Sequence, residues 1–443
     1  MKAKTEKASI ARKKRMIALM LLSIMIAALG CKGRVKNPSA SFRRLSAVPR
    51  AKEEIELKQP DETFTRTHAA FMLDIFKNSL KKGENSLVSP VSVLTALAMT
   101  ANGARGETLS EMRKTLARGL EGEELNAYLA AYLEQLAGDD SAKIEIANSI
   151  WFRENADARK ANPYAPQAFT PNKEFLQTNA DIFGADIFAA PFDKATVNEI
   201  NNWVNEKTNG MIDGIIDELD PLAVMQIINA LTFDAEWRTK YTKEDQISKG
   251  EFTALGGQKR NVKFMFSEEK SYIRFSDAEG FIKPYTGGRF AFMALLPNEG
   301  VDIYDFIDGL NGENLLHIID NARERTVYAK MPKFGFEYEV SLVDALKAMG
   351  METAFDAKLA DFSGLGESVY GNIAISEVLH KTYIEVGEQG TRAGAVTSVM
   401  PAPASAEIVE APVRITLDRP FMFAIIDTQT RLPLFIGALT DPS

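Results

Sequence analysis

The chain has 443 residues, of which 45% are hydrophobic and 25% charged, with three histidines and one cysteine. One thiol excludes an internal disulfide, and so few thiols and imidazoles argue against a zinc site. The formal charge is −8, and it becomes −14 without residues 1–30, which hold seven basic residues and one acid. An acidic chain of this kind is not expected to bind nucleic acid.

The first thirty residues are typical of an export signal. Seven basic residues precede an apolar run over 16–29, which is too short to span a membrane comfortably. The run ends in Ala28-Leu29-Gly30-Cys31, which resembles a bacterial lipoprotein signal with its large aliphatic residue one place later than usual. That resemblance implies cleavage before Cys31 and lipidation of its thiol. The alternative is an ordinary secretion signal with an incidental buried thiol.

The remainder divides into a short linker and one large domain. Residues 31–62 mix Lys, Arg, Ser, Pro and Glu with few apolar residues, which predicts a flexible tether. Residues 63–443 contain no repeat, linker or low-complexity run, so we predict a single domain there.

Helical patterns dominate the first half of that domain. Apolar residues recur at helical spacing over 67–81, and Ser89-Pro90 begins a second helix that stops near Gly103. Further helices are predicted over 108–116, 123–136 and 195–208, and a strand over 144–152.

Strand patterns dominate the second half. Apolar or β-branched runs bounded by turn residues predict strands. These runs are 224–233, 261–266, 290–296, 327–336, 373–386, 413–417, 421–427 and 434–439, with short helices over 303–310 and 341–349. Helices first and strands later indicate an α+β fold.

The segment after the predicted strand 373–386 is unusual. Residues 390–405 have no aromatic, no Leu or Ile, and only one charge, Arg392. If residues 391–398 formed a strand, one face would carry Thr391, Ala393, Ala395 and Thr397, all small and uncharged. The other face would carry the charge. This pattern predicts a loop that can become a strand.

The residues needed for most enzymatic chemistry are missing. The histidines are His68, His317 and His380, and no pair has metal-ligand spacing. No nucleophile elbow, phosphate loop or dinucleotide glycine pattern appears, and the carboxylates are dispersed. We therefore expect neither an enzyme nor a cofactor.

Several segments together resemble the serpin family of protease inhibitors over residues 63–443. The matching segments are 85–92, 202–204, 206–210, 229–231, 331–334, 361–364, 380–381, 418–423 and 433–437. Each is weak alone, but their order and spacing are specific. The resemblance implies a serpin fold, in which a helical region accompanies three β-sheets and exposes a reactive-centre loop, here about 388–412.

In that family a protease attacks the loop, forms an acyl-enzyme, and is trapped when the cut loop inserts as a new strand in the large sheet. The resemblance implies a hinge that comprises Glu388, Gln389, Gly390, Thr391, Arg392, Ala393, Gly394, Ala395 and Val396. Thr391 is expected to be the first side chain to enter the sheet. The family usually has an acid where this chain has Arg392, and more often an alanine than Val396. The usual loop length places the attacked bond at Ala404–Ser405, with Ser405 or Ala406 as alternatives.

The resemblance also implies two supporting clusters. Ser89, Ser92, Asn229 and His380 correspond to the region through which the central strands part. Trp237, Lys333 and Glu388 correspond to the point of first loop entry. An exposed Glu–Lys pair there is worth only about 0–1 kcal/mol.

These matches predict a monomeric suicide inhibitor without cofactor. A small residue at Ala404 suits elastase-like or subtilisin-like serine proteases, and papain-like cysteine proteases are further targets to consider. The protein is expected to be exported and either lipid-anchored in a bacterial envelope or secreted. The alternative is a non-inhibitory serpin that binds a partner or acts as a chaperone. Pro401 and Pro403 favour this alternative, because proline has no backbone N–H to donate within a strand.

Overall fold

The structure is a computed structural model and describes residues 43–44, 56–120, 122–154, 169–220, 223–369, 371–391 and 411–442. None of the helices in these ranges is both long and apolar enough to cross a bilayer. Within the same ranges, no three His, Cys, Asp or Glu side chains gather as metal ligands.

Nine α-helices lie in the described residues, six of them before residue 208. Asp61 caps the first by accepting a hydrogen bond from the Phe64 amide, and Asp193 forms a capping box with Thr196. Gly184 ends another helix with φ 62°. The helices are α1 (Glu62–Asn78), α2 (Pro90–Ala101), α3 (Gly106–Leu116), α4 (Gly122–Ala137), α5 (Lys173–Phe183), α6 (Lys194–Lys207), α7 (Ile303–Asp308), α8 (Gly312–Asp320) and α9 (Val343–Ala348).

The strands of the described residues form two large sheets and one small one. They are β1 (Arg43–Arg44), β2 (Ser86–Val88), β3 (Lys143–Arg153), β4 (Phe169–Pro171), β5 (Asp186–Ala190), β6 (Met225–Glu236), β7 (Ile247–Thr253), β8 (Lys259–Phe275), β9 (Ala278–Pro284), β10 (Phe290–Pro297), β11 (Arg323–Pro332), β12 (Phe334–Ser341), β13 (Gly366–Ser368), β14 (Leu379–Val386), β15 (Gly390–Thr391), β16 (Val413–Thr416), β17 (Phe421–Asp427) and β18 (Leu432–Leu439). β4 and β13 form the small sheet.

The seven-stranded sheet has the order β1-β5-β3-β6-β15-β14-β12. Only the β3–β5 pair is parallel. The central member, β15, consists of Gly390 and Thr391 alone, paired with the C-terminal ends of β6 and β14. Among the described residues, β6 and β14 pair with β15 but not with each other. Within the described residues, no strand therefore lies between β6 and β14 beyond Thr391, and this interval is called the gap.

The second large sheet provides most of the core. Its order is β16-β11-β8-β9-β10-β17-β18-β2, with β7 attached to β8. Every residue of β10, β17 and β18 is buried, which explains their near-continuous apolar sequence. α2 packs against both β18 and β6, so it links this core to the edge of the gap.

The predicted α+β class is confirmed, and most predicted elements are present with boundaries shifted by a few residues. The sequence analysis did not predict α5 and α8, nor the strands β1, β2, β4, β5, β7, β9 and β13. The predicted strand 373–386 was too long, because only Leu379–Val386 is a strand. Pairing with β12 ends at Ser341 opposite Leu379, after which the chain turns into α9, so residues 373–378 have no strand beside them.

The predicted tether over 31–62 needs a correction at two places. Arg43 and Arg44 pair with β5, and the Arg44 guanidinium lies 2.6 Å from the Asp186 carboxylate. Lys58 contacts Glu124 of α4, and α1 begins at Glu62. Two of the basic residues in this stretch, Arg44 and Lys58, therefore pair with acids of the domain.

Candidate functional site

The loop hinge begins inside the seven-stranded sheet. Gly390 lies opposite Glu236, and Thr391 lies opposite Ala235 on one side and Val386 on the other. Thr391 is 2% exposed, and its hydroxyl lies 2.5 Å from the Tyr285 phenol oxygen. Burial raises the pKa of Tyr285 well above its ordinary value, so this phenol stays protonated and can donate.

Gly390 is needed for space rather than for unusual backbone angles. Its φ is not positive, whereas a glycine φ above zero occurs at thirteen other described positions. A Cβ on Gly390 would lie 2.0 Å from the Ala235 carbonyl oxygen. Any side chain there would therefore push the hinge off β6. By contrast, a Cβ on Gly387 would meet no atom within 4 Å.

Trp237 and Tyr241 hold the hinge backbone. The Trp237 amide donates to the Gln389 carbonyl at 2.9 Å, and its indole N–H donates to the Gly387 carbonyl at 2.8 Å. The Tyr241 amide donates to the Glu388 carbonyl at 3.1 Å. The Trp237 ring stacks on Tyr285 with centroids 4.5 Å apart. Three successive hinge carbonyls are thus fixed by two residues.

Lys333 and Glu388 form an ion pair at the loop entry. The Lys333 ammonium lies 2.7 Å from Glu388 Oε2, and both side chains are about one third exposed. Burial opposes ionisation of Glu388, but the hydrogen bond from Lys333, a backbone hydrogen bond and the charges of Lys333 and Lys263 together outweigh it and lower the pKa of the carboxyl. The structure therefore brings together all three residues assigned to loop entry, Trp237, Lys333 and Glu388.

The sheet-opening cluster consists of two separate pairs. Ser92 of α2 donates to the Asn229 side-chain oxygen on β6, and the Asn229 amide donates to Asn148 Oδ1 on β3. The Ser89 amide donates to His380 Nε2 at 3.0 Å. Within the described part of the chain, the buried Ser89 Oγ has no hydrogen-bond partner.

His380 is neutral in this arrangement. It lies on β14 facing α2, and burial lowers its pKa to about 4. Because Nε2 accepts from the Ser89 amide, the single ring proton belongs on Nδ1. Protonation of Nε2 would remove this hydrogen bond.

A cavity of about 470 Å³ occupies the lower part of the gap. Residues of β6, of 373–380 and of α2 line it, including Ser92, Asn229 and His380. Most of the other lining residues are aliphatic, such as Ile227 and Ile375. The cavity therefore has the composition of a core region that lacks one strand.

Sequence reasoning missed Asn148, Tyr241 and Tyr285. Asn148 could have been found, because it is a polar residue within an apolar strand and lies directly opposite Asn229. Tyr241 and Tyr285 carry no such signal, since only the fold brings them to the hinge. Several assigned residues lie outside the described residues: Cys31, Arg392, Ala393, Gly394, Ala395, Val396, Ala404 and Ser405.

The seven-stranded sheet contains Gly390 and Thr391, the first residues of a loop made of small side chains, and this arrangement is typical of the serpin fold. A family model described as Serpin (serine protease inhibitor) matches residues 66–442. The chain belongs to the serpin family. Serpins are protease inhibitors rather than catalytic enzymes.

Individual relatives agree with this assignment. A serpin-like protein of Thermococcus kodakarensis is 29% identical, with 97% of this chain and 99% of that protein covered. Leukocyte elastase inhibitor A of Rattus norvegicus is 26% identical, with 86% and 100% covered. Among solved structures, the native-state crystal structure of tengpin, a thermophilic serpin, superimposes with a TM-score of 0.79. The two sequences are 46% identical, and the match covers 87% of this chain and 96% of tengpin.

Proposed function

We propose that the protein is a suicide inhibitor of serine proteases that traps the acyl-enzyme by inserting its cleaved loop between β6 and β14. The observation that supports this most directly is the position of Thr391, buried between two strands that do not pair with each other. The cavity lined by β6 and residues 373–380 gives a strand that starts at Thr391 room to continue.

Continuing the observed register gives the partners of each loop residue. On the β14 side, residues 391–398 would lie opposite residues 386–379, which is the whole eight-residue strand. The inward residues would be Thr391, Ala393, Ala395 and Thr397. Thr397 would lie opposite both Asn229 and His380. The only hydroxyl in the lower part of this face thus meets the polar pair that lines the cavity.

The same register limits the harm done by proline. On the β6 side, Pro401 would lie opposite Met225, the first residue of β6, and Pro403 would lie beyond the strand. On the β14 side, both lie past Leu379, where that strand begins. One lost ladder bond costs about 1 kcal/mol, which is small against the new bonds of a full strand. Insertion is therefore compatible with both prolines.

The chemistry is supplied by the protease. Its serine or cysteine attacks the Ala404 carbonyl, the bond to the Ser405 nitrogen breaks, and Ala404 remains joined to the enzyme as an ester or thioester. As the loop forms a strand between β6 and β14, it carries the acylated Ala404 and the attached protease toward the opposite end of the sheet, before water can hydrolyse the ester or thioester. A small residue at Ala404 fits shallow pockets, so we propose elastase-like and subtilisin-like enzymes as targets, with papain-like cysteine proteases next.

We also propose that the protein is exported and held to a bacterial envelope membrane by a lipid on Cys31, and that it acts as a monomer. The apolar run over 16–29 and the cysteine that follows it support this. Metabolic labelling with a radioactive fatty acid should mark the parent protein and leave a Cys31→Ser variant unlabelled. Equal labelling of the two would exclude this anchor.

Incubation with a panel of elastase-like and subtilisin-like proteases tests the inhibitor function. We expect a covalent adduct on a denaturing gel, a cut at Ala404–Ser405 by mass spectrometry, and a higher melting temperature for the nicked protein. Quantitative cleavage without adduct and without a change in melting temperature would instead support a non-inhibitory serpin.

A further inference from the structure

A buried ion pair lies beneath the residues that hold the hinge. Lys283 of β9 and Glu269 of β8 are joined at 2.8 Å, and their side chains are 1% and 6% exposed. Two charges are costly to remove from water unless they are paired and hydrogen-bonded. A pair in this position therefore needs an explanation beyond stability, since apolar residues of similar shape would serve a core at least as well.

The Lys283 ammonium contacts two aromatic rings. Its Nζ lies 4.7 Å from the centre of the Tyr241 ring and 5.3 Å from that of Trp237. It also donates to the Thr239 carbonyl at 3.1 Å, in the turn between these two aromatic residues. A desolvated cation in contact with a ring face is a strong interaction. Lys283 thus binds both rings and the backbone that joins them.

Glu269 is held from the other side. Ser267 Oγ donates to Glu269 Oε1 at 2.6 Å and lies 3.2 Å from the Tyr241 hydroxyl. The carboxylate is therefore fixed by a neighbour that also contacts Tyr241. Lys283, Glu269, Ser267 and Tyr241 thus each contact the next in a ring of four side chains, which fixes the position of the ammonium.

The two rings bound by Lys283 belong to the residues that carry the hinge. Trp237 donates to the carbonyls of Gly387 and Gln389, and Tyr241 donates to that of Glu388. Trp237 also stacks on Tyr285, which reaches the Thr391 hydroxyl. The Lys283 ammonium thus contacts the hinge backbone through one aromatic residue, Trp237 or Tyr241. It is connected to Thr391 through two, Trp237 and Tyr285.

We propose that Lys283, fixed by Glu269, is a positioning residue for loop insertion. It holds Trp237 and Tyr241 where they keep the hinge inside the sheet, so that a cleaved loop continues an existing strand instead of starting one. This proposal rests on the proposed inhibitor function. Without the cation, the hinge leaves the sheet more often, insertion slows, and more acyl-enzyme is hydrolysed before it is trapped.

The test uses a double variant, Lys283→Met with Glu269→Gln, in the full chain. Met matches the length of the lysine stem, Gln can still accept from Ser267, and no unpaired charge remains buried. The matched control is Arg289→Met with Asp427→Asn. That buried pair, 3.3 Å apart with side chains 9% and 0% exposed, joins the residue before β10 to the last residue of β17, and Arg289 also pairs with Asp139 rather than with the hinge.

Two readouts separate positioning from simple stabilisation. In a background with Trp151→Phe and Trp203→Phe, iodide quenching reports the exposure of Trp237. We expect quenching to increase in the Lys283 variant and not in the control. With an elastase-like protease, we measure how many inhibitor molecules are consumed per protease molecule inactivated. The number above one should rise about tenfold, the size expected for loss of a desolvated cation–ring contact.

Unchanged quenching together with an unchanged stoichiometry in the Lys283 variant would overturn the proposal, whatever happens to its melting temperature. An increase of equal size in the control would overturn it as well, because any loss of core stability would then suffice. If the parent protein forms no adduct with any protease, the inhibitor function fails, and the quenching of Trp237 still decides whether Lys283 positions the ring.

Discussion

The Thr391 hydroxyl lies 2.5 Å from the phenol oxygen of Tyr285, and both side chains are buried. Thr391 belongs to the loop and Tyr285 to the turn after β9, so the contact joins the bait segment to the body of the protein. The uncleaved protein has thus already placed one loop side chain in the sheet, and the energy released later depends on the residues that follow it.

A charge at position 391 should convert the inhibitor into a substrate. The site is 2% exposed, so burial of a guanidinium there costs several kcal/mol. We expect Thr391→Arg to yield cleaved protein and active protease on incubation with an elastase-like enzyme. Thr391→Ser keeps the hydroxyl and serves as the control, for which the covalent adduct should remain. An adduct of equal yield in Thr391→Arg would contradict the hinge assignment.

Two hinge glycines should respond differently to alanine. A Cβ on Gly390 would lie 2.0 Å from the Ala235 carbonyl oxygen, whereas one on Gly387 would meet nothing within 4 Å. Gly390→Ala should displace the hinge from β6 at a cost of about 1–3 kcal/mol, and Gly387→Ala should leave it in place. Hydrogen exchange at the amides of β6 next to the hinge measures the difference. Equal protection in the two variants would show that Gly390 does not pack against β6.

Arg392 should stabilise the inserted loop through two acids. In the continued register it would lie opposite Asp234 on β6 and Glu385 on β14, all on the outer face of the sheet. Cross-strand pairs of opposite charge contribute roughly 0.2–1 kcal/mol each. Arg392→Glu should therefore reduce the rise in melting temperature on nicking, and adding Glu385→Lys should restore part of it. No restoration in the double variant would argue for another register.

Local patterning predicted the fold well because each segment carries its own signal. β17 and β18 are buried throughout and carry only one charged residue, Asp427, and Ser89-Pro90 marks the start of α2. The predicted strand 373–386 fails for a reason that local pattern cannot supply. Residues 373–378 have strand composition, but a neighbouring strand is absent on one side and a cavity lies on the other.

The candidate site was predictable where family motifs carry it and not where tertiary contacts create it. Trp237, Lys333 and Glu388 are far apart in sequence, so only the resemblance to serpins predicted that they lie close together, as the structure shows. Lys283 belongs to β9, a strand that was not predicted at all, and Tyr285 follows it directly. Their roles depend on how β9 packs behind Trp237, which no spacing in the sequence indicates.

The pH dependence of stability should reveal the neutral state of His380. Its pKa is about 4 in the folded protein, lowered by burial from the ordinary value of 6.5. Between these two values the unfolded chain binds more protons, so stability is complete above pH 6.5 and is lost as the pH falls toward 4, by up to about 3 kcal/mol. Urea unfolding of His380→Gln should show a shallower loss over this range than the parent. His317→Gln removes an exposed imidazole and is the control.

The choice of protease should follow the residue at the attacked bond. Ala404 offers one methyl group to the pocket of the enzyme, whereas Ala404→Arg would offer a guanidinium that suits an acidic pocket. We expect this variant to form a covalent adduct with trypsin-like proteases and to lose rate with elastase-like ones. Ala406→Arg, two residues further along the chain, is the matched control, because it adds the same charge without changing the attacked residue. If Ala406→Arg redirects the inhibitor and Ala404→Arg does not, the scissile bond lies beyond Ser405.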